Sequence, residues 1–239
     1  MRATALALAL IAGLVAPALA QQAPAQQAPG PTGPERFAPE IAAFAAADRA
    51  HAPTPCGFLF VGSSSIRFWK TLEADMAPVP AINRGFGGST IADVDYYFDQ
   101  VVTPYRPRAI VFYAGENDIN AGEAPSIVTG NFARFMELKT KAFGAATPVY
   151  FISLKPSKLR WLQRDRQAQV NAQVQALAAQ RRDLHYIDVA PAMLVNGEPK
   201  DIYVADGLHM TPEGYKLWTE VIRPVVHAEA KRPTECKAS

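Results

Sequence analysis

Four short clusters of glycine and polar residues carry the side chains that could do chemistry in this chain. They are Gly62–Ile66 with three serines, Asn83–Ser89 with three glycines, Gly115–Asp118, and Asp206–His209. Together they supply a hydroxyl, an imidazole with a carboxylate three residues before it, and several N–H donors. Acyl transfer through a serine needs this set, because the hydroxyl needs a base and the developing oxyanion needs donors. The four clusters together therefore indicate a site for acyl transfer.

Taken singly, each cluster has a plainer interpretation. A run of serines after a strand is usually a turn or a helix cap, and Asn117-Asp118 alone would be a turn with Asx hydrogen bonding. The glycines of the second cluster could mark a tight turn or a degraded dinucleotide-binding loop. The dinucleotide alternative is disfavoured, because Thr90 stands at the third glycine position of that motif. Asp206 and His209 alone could equally be a surface pair.

Five short apolar runs predict the strands that would bring these clusters together. The runs are Phe58–Val61, Val79–Ile82, Ala109–Ala114, Val149–Ile152 and Leu184–Val189. Apart from the second, which contains a proline, they are rich in Val, Ile, Phe and Tyr and mostly lack a strict alternation with polar residues. That pattern is typical of parallel strands buried on both faces.

Apolar residues at helical spacing lie between and around these runs. A first helix is predicted over Pro39–Ala50, and a closing helix opens at Thr211-Pro212-Glu213, with a cap, a proline and an acid. The apolar stripes are Ile91, Val94, Phe98 and Val101, then Val128, Phe132 and Phe135, and finally Tyr215, Trp218, Ile222 and Val225. The alternation predicts an α/β fold, a three-layer α/β/α sandwich with a central five-stranded parallel sheet. Ligands bind such sheets outside the carboxyl ends of the strands, where the four clusters stand.

The four clusters, in order, resemble the four catalytic sequence blocks of the SGNH, or GDSL-type, hydrolases. The resemblance covers about residues 37–230 and implies a flavodoxin-like fold. Gly62-Ser63-Ser64 matches the first block, with Ser63 where the family name has Asp. Gly62–Ile66 is also similar to the bacterial branch that writes this block as GSSSI.

The resemblance implies a role for one residue or more of each block. Ser64 is the expected nucleophile, His209 the general base and acid, and Asp206 the residue that orients the imidazole. Gly88 and Asn117 are the expected oxyanion-hole donors. A serine hydroxyl becomes a good nucleophile only when a base takes its proton, which an imidazole can do near neutral pH. This chemistry needs no cofactor and no metal, and no spacing of His, Cys and Asp in the sequence indicates a metal site.

The acyl group is left open by the resemblance, since the family includes esterases, lipases, thioesterases and polysaccharide deacetylases. The sequence contains no extended apolar lid of the kind a long-chain lipase uses. We therefore predict a serine esterase for short acyl esters, acetyl above all, with a small ester or an acylated carbohydrate as substrate. The alternatives are a lysophospholipase or thioesterase of the same family and, from another class, a non-catalytic carbohydrate-binding protein.

Two loops are predicted to form the rim of the site, because loops at the carboxyl edge of a sheet shape pockets. They are Lys155–Trp161 and Val195–Val204. Trp69, Trp161 and Tyr203 could stack on a sugar or pack against the protein, and packing is the favoured interpretation.

The first twenty residues are predicted to be a cleavable signal peptide. Arg2 gives the positive start, Leu6–Val15 is a short apolar run, and Ala18-Leu19-Ala20 predicts cleavage after Ala20. The apolar run is too short to span a bilayer, so no stable membrane insertion is expected. Residues 21–36 form a Gln/Ala/Pro-rich leader predicted to be disordered, residues 37–230 the hydrolase domain, and residues 231–239 a C-terminal tail. The expected location is the periplasm or the exterior.

Length and composition agree with one α/β domain and exclude collagen-like, coiled-coil and wholly disordered proteins. The chain has 239 residues, of which 49% are hydrophobic and 19% charged. Its 24 basic and 22 acidic residues are spread along the chain, so the basic stripe that nucleic-acid binding requires is absent. In an oxidising compartment Cys56 and Cys236 could form one disulfide, the alternative being two unpaired thiols.

Overall fold

Five parallel strands form the centre of the fold in the computed structural model, which describes residues 32–234 and 236. Their order across the sheet is β2-β1-β3-β4-β5, the flavodoxin-like order, so the predicted five-stranded parallel sheet is confirmed. The strands are β1 Phe58–Gly62, β2 Ala81–Gly85, β3 Ala109–Tyr113, β4 Val149–Ile152 and β5 Leu184–Ile187. In the register of β1 with its two neighbours, Gly62 lies opposite Gly85 of β2 and Tyr113 of β3.

The second strand begins and ends later than the sequence predicts. The prediction placed it at Val79–Ile82, whereas β2 extends from Ala81 through Asn83 and Arg84 to Gly85. Because β2 is at the edge of the sheet, it does not need an apolar residue at every position. Asn83 donates to the Ile66 carbonyl at 2.6 Å, and Arg84 forms an ion pair with Asp48.

Helices cover both faces of the sheet. The α-helices are α1 Ala38–Ala50, α2 Ser64–Arg67, α3 Leu72–Met76, α4 Ile91–Tyr96, α5 Phe98–Val101, α6 Glu116–Asn120, α7 Pro125–Phe143, α8 Arg164–Ala179 and α9 Pro212–Ala230. The neighbouring residues Phe112 and Tyr113 of β3 point to opposite faces. The Phe112 ring packs on Phe135 of α7 at 4.5 Å, and the Tyr113 ring packs on Trp218 of α9 at 4.9 Å. The sheet is therefore the middle of three layers.

Two helix predictions differ from the structure in detail. The stripe predicted from Ile91 to Val101 is buried, but the helix is interrupted at Tyr97, whose ring packs edge-on against Phe86. Thr211 does precede α9, with Pro212 as its first residue. Its hydroxyl, however, donates to the carbonyl of Ile202 at 3.3 Å and does not cap the helix.

The folded domain begins a few residues before the predicted boundary at residue 37. Pro34–Phe37 form a 3-10 helix, and Arg36 forms an ion pair of 2.8 Å with Asp93. Residues 34–36 are therefore part of the fold and not of the leader. The predicted signal peptide and residues 21–31 of the leader lie outside the described residues. Within residues 32–234 and 236, no helix is long and apolar enough to cross a membrane.

A disulfide joins Cys56, just before β1, to Cys236 in the C-terminal tail. This decides between the two alternatives that the sequence left open for the cysteines. The loop predicted at residues 195–204 contains part of a small hairpin, in which β6 Leu194–Val195 pairs antiparallel with β7 Glu198–Pro199.

Candidate active site

Ser64 lies just beyond the carboxyl end of β1, as the first residue of α2. The chain turns at Gly62, whose φ of 139° lies in the left-handed region that favours glycine. A Cβ atom at Gly62 would lie 1.9 Å from the carbonyl oxygen of Tyr113, so a larger residue does not fit. Ser63 donates its N–H to the same carbonyl at 2.8 Å. Strands β1 and β3 together therefore fix the backbone that presents Ser64 at the sheet edge.

A closed loop before α9 places His209 against Ser64. Tyr203 and Met210 close this loop with an antiparallel bridge. The imidazole packs edge-on against the ring of Phe68, with 4.9 Å between the centroids. Its Nε2 atom lies 2.9 Å from the hydroxyl oxygen of Ser64. At this distance the imidazole can accept the hydroxyl proton.

Asp206 holds the other nitrogen of the same imidazole. Its Oδ2 atom lies 2.6 Å from Nδ1 of His209. Its Oδ1 atom accepts the backbone N–H groups of Leu208 at 2.8 Å and His209 at 2.9 Å. Partial burial raises the pKa of Asp206, but the hydrogen bonds from His209 and Leu208 outweigh this and lower it to about 2. The carboxylate is therefore ionised at neutral pH and fixes which nitrogen of the imidazole faces Ser64.

Asn117 is linked to the Gly88 loop through Ser89, the residue that follows Gly88. Nδ2 of Asn117 donates to the carbonyl of Ser89 at 2.9 Å. The next residue of α6, Asp118, accepts the N–H of Ile91 at 3.1 Å. Gly88 has a φ of 81°, and among the described residues its N–H has no acceptor. Two consecutive side chains of α6 therefore hold the loop that exposes the Gly88 N–H.

The second cluster is also tied to the first one. The Phe86 N–H donates to the carbonyl of Gly62 at 2.9 Å, and the Ser89 hydroxyl lies 3.0 Å from the carbonyl of Phe86 and 3.3 Å from that of Gly62. Gly62 is two residues before Ser64, so all four clusters that the sequence singled out are joined by hydrogen bonds at one edge of the sheet.

A family model matches the part of the chain that contains this site. The model of the GDSL-like lipase/acylhydrolase family matches residues 56–217, which is more than half of the chain. The chain belongs to this family. The match extends from just before β1 into α9 and contains all four clusters. The predicted family and its enzymatic nature are thereby confirmed.

Solved structures show that the fold of this GDSL-like hydrolase is widespread. A GDSL-like lipase from Bacteroides thetaiotaomicron is 23% identical with a TM-score of 0.64, covering 82% of this chain and 97% of its own. A carbohydrate esterase family 3 protein from Talaromyces cellulolyticus is 15% identical with a TM-score of 0.59, covering 74% of this chain and 100% of its own. A mutant acetyl-xylooligosaccharide esterase from Geobacillus Stearmophilus is 12% identical with a TM-score of 0.59, covering 78% of this chain and 99% of its own. No curated protein sequence matches the chain.

Three charged side chains to which the sequence analysis gave no role lie buried around Asn117 of this GDSL-like hydrolase, namely Glu116, Lys155 and Arg160. Lys155 donates to both carboxylate oxygens of Glu116, at 2.9 Å and 3.1 Å. Arg160 donates from Nη2 to Oδ1 of Asn117 at 2.8 Å. Lys155 and Arg160 follow β4 in the loop Lys155–Trp161, and this position at the carboxyl end of a strand is why the sequence predicts that the loop forms a rim of the site. Lys155, Ser157 and Arg160 are instead buried, so much of this loop is a wall of the site.

The aromatic candidates for sugar stacking divide into two groups. Trp69 is in the core, and the buried Tyr203 donates its hydroxyl to the Pro156 carbonyl, so both pack against the protein as favoured. Trp161 is half-buried and lies against the guanidinium of Arg164 at 4.9 Å. Among the described residues, no group of three or more His, Cys, Asp and Glu side chains is arranged to hold a metal ion.

Proposed function

We propose that this GDSL-like hydrolase is a serine esterase that acts through an acyl-enzyme on Ser64. The observation that carries the proposal is the chain of hydrogen bonds from Ser64 through His209 to Asp206, at 2.9 Å and 2.6 Å. A hydroxyl, an imidazole and a carboxylate in this order are what nucleophilic catalysis by serine requires.

In the first half of the reaction, Nε2 of His209 accepts the proton as Ser64 Oγ attacks the ester carbonyl. The imidazolium that forms is stabilised by Asp206, which is already ionised and held by two backbone N–H groups. His209 then gives the proton to the leaving alcohol, and the acyl group stays on Ser64. In the second half, His209 takes a proton from the water that attacks the acyl-enzyme. It then returns this proton to Ser64 Oγ as the bond to the acyl group breaks, which releases the acid and restores the free enzyme.

The carbonyl oxygen becomes negatively charged in both halves and needs donors. The proposed donors are the N–H groups of Gly88 and Ser64 and the side-chain amide of Asn117. The Gly88 N–H has no competing acceptor among the described residues. Losing one oxyanion donor typically costs about 3 kcal/mol of transition-state stabilisation, on the order of a hundredfold or more in kcat.

The favoured substrate is an acetyl ester, with an acetylated carbohydrate as the natural form. Two solved structures of the same fold are described as a carbohydrate esterase and an acetyl-xylooligosaccharide esterase, which supports this choice. The half-exposed Trp161 offers a face on which a sugar ring can stack.

Longer acyl chains are a second candidate, because two leucines on the loop after β4 are exposed. Leu159 is 63% exposed and Leu162 is 94% exposed. The Leu159 N–H donates to the Gly207 carbonyl at 2.9 Å, which places this leucine beside the loop of Asp206 and His209. An apolar rim at this point favours a lysophospholipase or thioesterase.

The enzyme is proposed to work outside the cytoplasm, in the periplasm or beyond. The predicted signal peptide and the disulfide between Cys56 and Cys236 both support export, since disulfides persist in oxidising compartments.

Hydrolysis of 4-nitrophenyl acetate, butyrate and octanoate tests the proposal. We expect turnover that is fastest with acetate and is lost in Ser64→Ala, while Ser65→Ala, the matched control one residue away, keeps it. A preference for octanoate would select the second candidate. Equal rates for a folded Ser64→Ala variant and the wild type would refute the proposed nucleophile.

A further inference from the structure

Arg160 lies against the amide that the proposed mechanism uses as an oxyanion donor. It is only 7% exposed, and its Nη2 atom donates to Oδ1 of Asn117 at 2.8 Å. At the other end of the same amide, Nδ2 donates to the carbonyl of Ser89 at 2.9 Å. Both ends of the Asn117 side chain are therefore held.

The contact with Arg160 decides which way the amide faces. A guanidinium can only donate hydrogen bonds, so the atom of Asn117 that faces Arg160 must be the oxygen. The NH2 group must then face the loop of Gly88 and Ser89. One of its two hydrogens goes to Ser89, and among the described residues the other has no acceptor. An oxyanion would accept a hydrogen bond from this free N–H.

The surroundings of Arg160 leave its charge without a full partner. Glu116 is the nearest carboxylate, at 4.0 Å from Nη1, and the ammonium of Lys155 already binds both of its oxygens. Burial raises the pKa of Glu116, but the charges of Lys155 and Arg160 outweigh this and lower it below its ordinary value. One negative charge therefore faces two buried positive ones. Nε of Arg160 is also buried without a hydrogen-bond partner.

We propose that Arg160 is a positioning residue that prepares Asn117 for the oxyanion. It orients the amide through Oδ1, and its positive charge polarises the amide so that the free N–H becomes a stronger donor. This inference rests on the proposed function, since it needs an oxyanion at Asn117. No bond to Arg160 forms or breaks in the reaction, and its proton stays in place.

A double-mutant cycle with 4-nitrophenyl acetate measures whether Arg160 acts through Asn117. The variants are Arg160→Met, Asn117→Ala and the double variant, each assayed for kcat and KM. We expect Arg160→Met to lower kcat by about 10- to 100-fold at nearly constant KM, less than the roughly 100- to 1,000-fold loss for a missing oxyanion donor. In the Asn117→Ala background the same substitution should change kcat less than about 3-fold, because its partner is gone.

Two further variants separate positioning from general structural support. Arg166→Gln is the matched control, because Arg166 holds the carbonyls of Gly122 and Glu123 beyond α6 and does not touch the Asn117 side chain. It should leave kcat unchanged. Arg160→Lys keeps a donor and the charge and should recover part of the kcat lost in Arg160→Met. Thermal unfolding of every variant confirms that folded proteins are compared, and if Arg160→Met does not fold, the cycle is run with Arg160→Lys.

The outcomes distinguish failure of this inference from failure of the proposed function. Equal losses from the Arg160 substitution in both backgrounds, with Ser64→Ala inactive, would overturn the inference and leave the serine esterase intact. A loss confined to KM would also overturn it. Turnover that persists in a folded Ser64→Ala variant would instead refute the proposed function.

Discussion

The Asp206 carboxylate is bound on both oxygens, which makes its exchange a clean test of the imidazole's orientation. In Asp206→Asn the side chain keeps its size but no longer carries the charge that stabilises the imidazolium. We expect kcat with 4-nitrophenyl acetate to fall by about 10⁴-fold, as is typical when such a carboxylate becomes an amide. KM should change little, because Asp206 does not touch the substrate in the proposed mechanism.

Asp201→Asn is the matched control for this prediction. Asp201 is an exposed aspartate on the same stretch of chain, paired with the exposed Lys158 at 2.6 Å, and its exchange should leave kcat unchanged. Equal losses in the two variants would mean that the charge of the surface, and not the contact with His209, matters.

Sequence reasoning at this scale depended on small local clusters. Ser64 and Asn117 each follow a strand within a short polar run, and His209 stands in another such run before the last helix, so their type and position could be used directly. Arg160 and Lys155 could not be assigned in this way, because a charged residue in a loop is usually exposed. Only the packing of the loop after β4 against Glu116 shows that they are buried.

At the scale of the elements, α4 contains an aspartate whose carboxylate is partly buried. Oδ1 of Asp95 has no hydrogen-bond partner. Burial raises its pKa to about 7, with the charge of Arg134 opposing the rise and the charge of Asp118 adding to it. The pKa of Asp95 in the folded state lies above the ordinary value of 3.8. The contribution of Asp95 to the free energy of unfolding is therefore fully present below about pH 4 and is lost as the pH rises through 7.

We therefore predict that Asp95→Asn stabilises the protein at high pH only. Its Tm should equal that of the wild type near pH 4 and exceed it by several degrees at pH 8. One pKa unit corresponds to about 1.4 kcal/mol, and each kcal/mol to roughly 2–4 °C in a chain of this size. Thermal unfolding across this pH range checks the prediction, with Asp99→Asn in the exposed part of α5 as the control. A constant difference in Tm at all pH values would contradict it.

The elements themselves were predictable to different degrees. The apolar runs of β1, β3 and β4 are buried on both faces, so their residue types alone identified them. The edge strand β2 carries Asn83 and Arg84, which resemble loop residues until their partners Ile66 and Asp48 are known. The sequence therefore located the strand but misplaced its ends.

At the scale of the whole molecule, the disulfide lies near the amino end of β1, and the site lies at the carboxyl end of the same strand. Cys56 precedes the amino end of β1, whereas Ser64 follows its carboxyl end. A crosslink between residues 180 positions apart restricts the unfolded chain strongly. Removing such a bond typically costs about 2–5 kcal/mol of the free energy of unfolding.

Reduction should therefore lower stability without changing catalysis. We expect a reducing agent to lower the Tm of the wild type by roughly 5–15 °C and to leave the double variant Cys56→Ser/Cys236→Ser, already lower by that amount, unaffected. At 25 °C kcat should be the same for both. A loss of kcat on reduction would contradict the separation of the disulfide from the site.

The central claim, that Ser64 forms a covalent acyl-enzyme, is tested most directly by trapping it with a fluorophosphonate and locating the adduct by peptide mass spectrometry. The reagent reacts with a serine only when a base activates the hydroxyl. We predict a single adduct on the peptide that contains Ser64, its loss in Ser64→Ala, and its retention in Ser65→Ala. An adduct on another residue, or an unlabelled enzyme that still hydrolyses 4-nitrophenyl acetate, would contradict the account.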